Sequence, residues 1–133
     1  AILEPCRFIE ELGAEITRLP VDRFGLVDPD DIRQAIRPST SLISVMHANN
    51  EVGTIQPITE IARIAHEHGV LCHTDAAQTV GKIETDVESL GVDLVVQKGV
   101  HAFFETIELF MVDQCLRRAH AYFSCAVALH YRV

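Results

Sequence analysis

The chain has 133 residues, of which 48% are hydrophobic, and its formal net charge at pH 7 is −8. This length allows one domain or less, and the apolar content is sufficient for a packed core. The negative charge, without a cluster of Lys or Arg, argues against a nucleic-acid partner or an anionic membrane surface.

No apolar run reaches the roughly 18 residues that a membrane helix needs, and the amino terminus shows no signal-peptide pattern. We therefore expect a cytoplasmic protein, or one in an organelle matrix if a leader is missing. The chain begins at Ala1, inside a helical pattern, which suggests a fragment of a longer protein. Without a secretory signal, free thiols are expected instead of disulfides at the four cysteines, Cys6, Cys72, Cys115 and Cys125.

The first third of the chain predicts a helix, a strand and a second helix. Residues 2–12 repeat apolar side chains at close to the helical period, and residues 14–20 alternate as a short strand does. Asp28 is a favoured N-cap residue and Pro29 suits the first helical turn, so residues 29–36 are predicted to be helical.

The middle of the chain predicts two buried strands separated by a helix. Residues 41–46 form a β-rich apolar run of the kind that is buried on both faces of a sheet, and residues 47–56 form a polar loop. Residues 57–68 have helical periodicity and precede Gly69, and residues 70–73 form the next strand.

A short helical turn over residues 86–90 leads to another buried strand over residues 92–96. Strands that alternate with helices of about ten residues predict an α/β protein with a three-layer, mainly parallel sheet. Residues 97–133 have weak periodicity and predict a tail that is helical or poorly ordered. The expected organisation is a partial large domain over 1–96 and a divergent tail over 97–133.

Asp75 and Gln78 follow the strand of residues 70–73 directly. A carboxylate at the end of a buried parallel strand is well placed to meet a ligand at the carboxyl edge of an α/β sheet. Asp is also a favoured N-cap residue, and Ala76-Ala77-Gln78 can open a helix. The spacing alone leaves both interpretations open.

A second motif favours the ligand interpretation. Residues 44–57 read Ser-Val-Met-His-Ala-Asn-Asn-Glu-Val-Gly-Thr-Ile-Gln-Pro, and together with residues 73–78 and Gly81-Lys82 they resemble the class V aminotransferases. The resemblance is specifically to the cysteine desulfurases and the related selenocysteine lyases, which are pyridoxal 5′-phosphate (PLP) enzymes of fold type I. The resemblance covers Ala1 to about Val95.

The resemblance implies that Asn50, Asp75 and Gln78 bind PLP. The family's aspartate pairs with the protonated pyridine nitrogen, and its amide side chains bind near the phenolic oxygen. The alternative is that Asn50 satisfies loop backbone and Gln78 lies on a helix face. His47 is interpreted as a satisfied loop histidine, Lys82 as an exposed residue, and no metal site is expected because the ligand spacing is absent.

The chain departs from the family where the catalytic groups are expected. No His-Lys pair occurs, although the family forms its aldimine at such a lysine, and Lys98 follows Gln97. Family counterparts of the phosphate loop and the ring-stacking histidine lie upstream of Ala1, and the persulfide cysteine lies in the region that the tail replaces. No catalytic residue is assigned, Lys98 is expected to be solvated, and the chain alone is predicted to lack activity.

The resemblance implies a desulfurase that converts L-cysteine to L-alanine and an enzyme persulfide, with iron-sulfur cluster assembly as the associated process. Selenocysteine is the substrate of the sister group, and the family is homodimeric. Two alternatives stay open: a non-catalytic truncated or mis-spliced remnant, and a binding module that pairs with a full-length desulfurase.

Overall fold

A computed structural model of the chain describes residues 3–96 and 124–128, with side chains over residues 6–96. Four helices and five strands are described. In chain order they are α1 (Leu3–Glu11), β1 (Glu15–Arg18), α2 (Pro29–Ala35), β2 (Thr40–Met46), α3 (Ile58–Glu67), β3 (Leu71–Asp75), α4 (Val87–Leu90), β4 (Leu94–Val96) and β5 (Ser124–Ala128).

The predicted elements of the first 96 residues are confirmed, with bounds that differ by a few residues. The start of α2 has the expected chemistry: the side chain of Asp28 accepts a hydrogen bond from the Asp30 amide at 2.9 Å, and Pro29 is the first helical residue. Helix α3 is followed by Gly69, whose φ of +68° favours glycine. None of the described helices is both long and apolar enough to cross a bilayer.

All described strand pairings are parallel, and the strand order is β1-β5-β2-β3-β4. Strands β2 and β3 pair along their length, from Leu42 beside Leu71 to Met46 beside Asp75. Strand β2 is buried at six of its seven positions, as predicted for a strand covered on both faces. The α/β class with a parallel sheet is therefore confirmed.

A hydrophobic core lies between the sheet and helix α3. Ile43, Val45 and Cys72 share one face of strands β2 and β3, and Ile61 and Ile64 of α3 belong to the same buried cluster. Alternation along each strand sends the intervening side chains to the opposite face. Helix α3 therefore stabilises one face of the strands whose other face carries polar residues.

The prediction of a helical or poorly ordered tail is wrong for residues 124–128. They form β5, which lies between β1 and β2 and pairs with both. Periodicity cannot distinguish a short apolar strand from a helix segment. This run of residues can therefore be identified as a strand only when the adjacent strands of the sheet are known. The rest of the tail lies outside the described residues.

Candidate cofactor site at the carboxyl edge of β2 and β3

Strands β2 and β3 end side by side, at the same edge of the sheet. Met46 pairs with Asp75, and the His47 amide donates a hydrogen bond to the Asp75 carbonyl at 2.8 Å. Strand β3 extends through Asp75, whereas the sequence predicted that it would end at His73. Asp75 is therefore the last residue of a strand, and its backbone is held by the sheet.

Asp75 is half-buried, and its Oδ1 accepts a hydrogen bond from the Ala77 amide at 2.9 Å. The residues that follow form successive turns, and the next helix begins only at Val87. The interpretation of Asp75 as a helix N-cap is therefore wrong. No side chain of residues 6–96 engages the second carboxylate oxygen, which stays available as an acceptor.

Gln78 lies in the turn after β3 and Asn50 in the loop after β2, so both follow the same edge as Asp75. Gln78 is half-buried and Asn50 is exposed. Within residues 6–96 no hydrogen bond engages either side-chain amide. The interpretation of Asn50 as a residue that satisfies loop backbone does not match this arrangement, and no helix carries Gln78.

The preceding residue, Asn49, organises the loop instead. Its buried side-chain oxygen accepts hydrogen bonds from the amides of Glu51 and Val52 at 2.8 and 3.0 Å. An antiparallel bridge between Ala48 and Ile55 closes the loop. Because Asn49 satisfies the local backbone, the side chain of Asn50 is not needed for it.

His47 is a satisfied loop histidine, as the sequence predicted. It is only 3% exposed, and its Nδ1 lies 3.0 Å from the Thr79 hydroxyl. That hydroxyl donates its hydrogen to the Ala76 carbonyl at 3.0 Å, so Nδ1 of His47 is assigned as the donor in this pair. Burial lowers the pKa of His47, which keeps the ring neutral.

A buried Ser44–His73 pair lies on the same sheet face as Asp75 and was missed from the sequence. The Ser44 hydroxyl and Nδ1 of His73 are 2.8 Å apart, and the two residues are paired in register. Burial lowers the pKa of His73 to about 4, against an opposing effect of Asp75. Nε2 of His73 has no partner in the described part of the chain. A serine and a histidine inside two strands that were predicted to be buried were the signal that could have identified this pair.

Gln56 is a second residue whose role was missed. Its side-chain oxygen accepts from the Val27 amide at 2.9 Å, and its nitrogen donates to the Gly25 carbonyl at 2.6 Å. The side chain of Thr54 also donates to the Phe24 carbonyl. These bonds fix the loop after β2 to the segment before α2.

The described cysteines suit packing better than nucleophilic chemistry. Cys6 and Cys72 are free and buried, as the expectation of free thiols requires. Burial raises the pKa of Cys72 to about 12 and that of Cys6 to about 11, so neither is ionised near neutral pH. Among residues 6–96, no three His, Cys, Asp or Glu side chains converge as a metal site, and Lys82 is exposed.

These observations define a class: a parallel α/β domain with a half-buried aspartate and two side-chain amides at the carboxyl edge of two adjacent strands, where such folds bind ligands. The model of the family described as Aminotransferase class-V matches residues 1–101. The chain therefore belongs to the class V aminotransferase family. The match extends a few residues beyond the expected break near Val95.

The similar curated proteins are cysteine desulfurases. The chain is 59% identical over 104 residues to cysteine desulfurase IscS of Dictyoglomus turgidum, covering 78% of this chain and 26% of that protein. It is 50% identical over 94 residues to the mitosomal cysteine desulfurase of Encephalitozoon cuniculi, covering 71% and 22%. The chain thus spans about a quarter of the length of these relatives.

Solved structures agree in fold. The structure described as SspA in complex with cysteine has a TM-score of 0.71 and 41% identity, covering 74% of this chain and 28% of that one. DndA from Streptomyces lividans has a TM-score of 0.65 and 33% identity, covering 74% and 27%. Members of this family and these relatives are PLP-dependent enzymes.

Proposed function

We propose that the chain is part of the large domain of a PLP-dependent cysteine desulfurase, and that the whole protein converts L-cysteine to L-alanine and an enzyme persulfide. The observation that carries the proposal is the position of Asp75. It ends β3 beside the end of β2, with one carboxylate oxygen uncommitted within residues 6–96. The identity of 59% to a cysteine desulfurase supports the same reaction.

The polar side chains at this edge of the sheet fit PLP. Oδ1 of Asp75 is fixed by the Ala77 amide, which orients the carboxylate, and the second oxygen can accept from a protonated pyridine nitrogen. A carboxylate keeps that nitrogen protonated, whereas a neutral amide in its place does not. When bound, PLP supplies an electron sink for the reaction at the amino-acid substrate.

Gln78 and Asn50 supply the other expected contacts. Their amides can donate hydrogen bonds near the phenolic oxygen of the ring, and neither is committed elsewhere in residues 6–96. The His47 amide ties the two strand ends together, so the loop with Asn50 and the turn with Gln78 start from one rigid point. We infer that all three side chains face one cleft.

Cysteine is favoured over selenocysteine as the substrate because a similar structure is described in complex with cysteine. Nothing in the site singles out selenocysteine. No general base is assigned, because the sequence contains no His-Lys pair. The roles proposed for Asn50, Asp75 and Gln78 are therefore cofactor binding.

The test is a titration of the purified wild-type chain and of Asp75→Asn with PLP. Binding is monitored by the absorbance and fluorescence of PLP. A charge-assisted hydrogen bond contributes about 1.5–3 kcal/mol, so the substitution should weaken PLP binding by roughly 10- to 100-fold. Glu84→Gln is the matched control, since it removes an exposed carboxylate that is close to Asp75 in sequence. It should leave the affinity unchanged.

Equal affinity of Asp75→Asn and the wild type would contradict the assigned role of Asp75. Absence of any saturable PLP binding would contradict cofactor binding by this chain. Circular dichroism of both variants, recorded first, shows whether the fold is retained.

A further inference from the structure

The segment that matches the family does not form a continuous sheet by itself. Within the described residues, β1 pairs only with β5, and β2 pairs with β3 on one side and β5 on the other. Strands β1 and β2 are therefore separated by the width of one strand. We call this gap the β1–β2 slot.

The strand that fills the slot comes from outside the family match. The match ends at residue 101, whereas β5 consists of Ser124–Ala128. The relatives extend over about four times the matched length. In them, a strand for the slot can come from the part of the protein that this chain does not match.

We propose that Ser124–Ala128 is a donor strand, by which the chain's own divergent tail completes the sheet of the family segment. The strand occupies the β1–β2 slot in parallel orientation. It replaces a strand that relatives supply from elsewhere. This proposal does not depend on cofactor binding.

The pairing is extensive on both sides of β5. Four residues of β5 pair with β1, from Ser124 beside Glu15 to Val127 beside Arg18. On the other side Ala126, Val127 and Ala128 pair with β2, after a register shift between Thr40 and Ile43. A strand paired on both edges satisfies backbone groups of three strands at once.

Removing β5 would leave β1 without a sheet partner among the described strands and turn β2 into an edge strand. Exposed edges of buried strands are costly and prone to pair with other chains. Strand β2 is unsuited to this position because it is buried at six of seven residues and includes the core residues Ile43 and Val45. The donor strand therefore protects the centre of the sheet.

The donor strand also supports the proposed cofactor site. Ala128 pairs with Val45, one residue before the end of β2, so β5 supports β2 nearly to its carboxyl edge. The loop that carries Asn50 starts from that edge. Any other strand that enters the slot has to displace β5.

The first test is backbone NMR of the unaltered chain, which needs no mutation. Inter-strand nuclear Overhauser effects should join Thr17 to Ala126 and Ala126 to Ile43, because both pairs are in register. Direct contacts between β1 and β2, or the absence of contacts from residues 124–128 to either strand, would overturn the proposal.

The second test is hydrogen exchange of Ala126→Pro, with Ala126→Ser as the matched control. Proline removes an amide hydrogen from a strand that is paired on both sides, which is disruptive in a sheet interior. Amides of β1 should exchange at least about tenfold faster in Ala126→Pro than in Ala126→Ser. Unchanged exchange in β1 would contradict a donor role for β5.

Discussion

The two faces of strands β2 and β3 differ in chemistry although the same backbone forms both. One face carries Ile43, Val45 and Cys72 and packs against α3. The other carries Ser44 and His73 as a buried hydrogen-bonded pair, with Asp75 at its carboxyl end. Alternation along β3 thus places Cys72 and Thr74 on the first face and Leu71, His73 and Asp75 on the second.

The difference shows that two kinds of interaction hold the same strands. The apolar face fixes the strands by burial, which has no directional requirement. The polar face needs defined partners, because a buried polar group without a hydrogen bond costs free energy. Perturbing the two faces should therefore give different signatures.

The largest effect is expected from Ile61→Ala, which acts on the apolar face. Ile61 is fully buried in α3 within the main core cluster. Loss of its side chain and the resulting cavity should lower the free energy of unfolding by about 2–5 kcal/mol, measured by urea denaturation.

The neighbouring substitution Glu60→Ala is the control for Ile61→Ala, because Glu60 is exposed on the same helix. Its effect should stay within about 0.5 kcal/mol. Equal destabilisation by the two substitutions would show that α3 does not pack as described.

A smaller effect is expected from Gln56→Ala. This substitution removes the hydrogen bonds that join the loop after β2 to the segment before α2. The substitution leaves the Val27 amide and the Gly25 carbonyl without their buried partner. The free energy of unfolding should fall by about 1–3 kcal/mol in the same assay. Gln34→Ala, at an exposed position of α2, should have little effect, and a similar loss in both would refute the role of Gln56.

The third effect is expected from the polar face, concerns His73 and appears only as the pH falls. Burial lowers its pKa from 6.5 to about 4, so the unfolded chain takes up a proton between these values that the folded chain does not. Stability should therefore fall as the pH decreases from about 6.5 to about 4, by up to about 1.4 kcal/mol per pH unit from this residue. Stability measured by urea denaturation across this range should show the slope.

His73→Asn removes the titrating group and should flatten this slope, apart from the contribution of His47, whose pKa is also lowered. His68→Asn is the control, since it changes an exposed histidine and leaves the buried His73 in place. An unchanged slope in His73→Asn would exclude His73 as its source.

Much of the fold could be predicted because its signals are local. Apolar periodicity predicted α3, and the Asp28-Pro29 pair predicted the start of α2. The candidate residues Asn50, Asp75 and Gln78 were found from motifs, and the structure places them at or just after the carboxyl ends of two adjacent parallel strands. Their direct contact with a cofactor stays a prediction.

Other features could not be predicted because their partners are distant in sequence. Ser44 and His73 are 29 residues apart, as are Gln56 and Val27, and each pair is joined only when the strands and loops are assembled. The cap interpretation of Asp75 failed because the residues after it form turns instead of a helix.

The sequence by itself determined the α/β class, the family and the candidate cofactor residues, because these depend on periodicity and short motifs. Only the tertiary structure decided which polar side chains are buried together and that residues 124–128 lie between β1 and β2. The physical reason is that strand order and hydrogen-bond partners depend on contacts between segments that are distant in sequence. A short apolar run does not indicate which strand it will pair with.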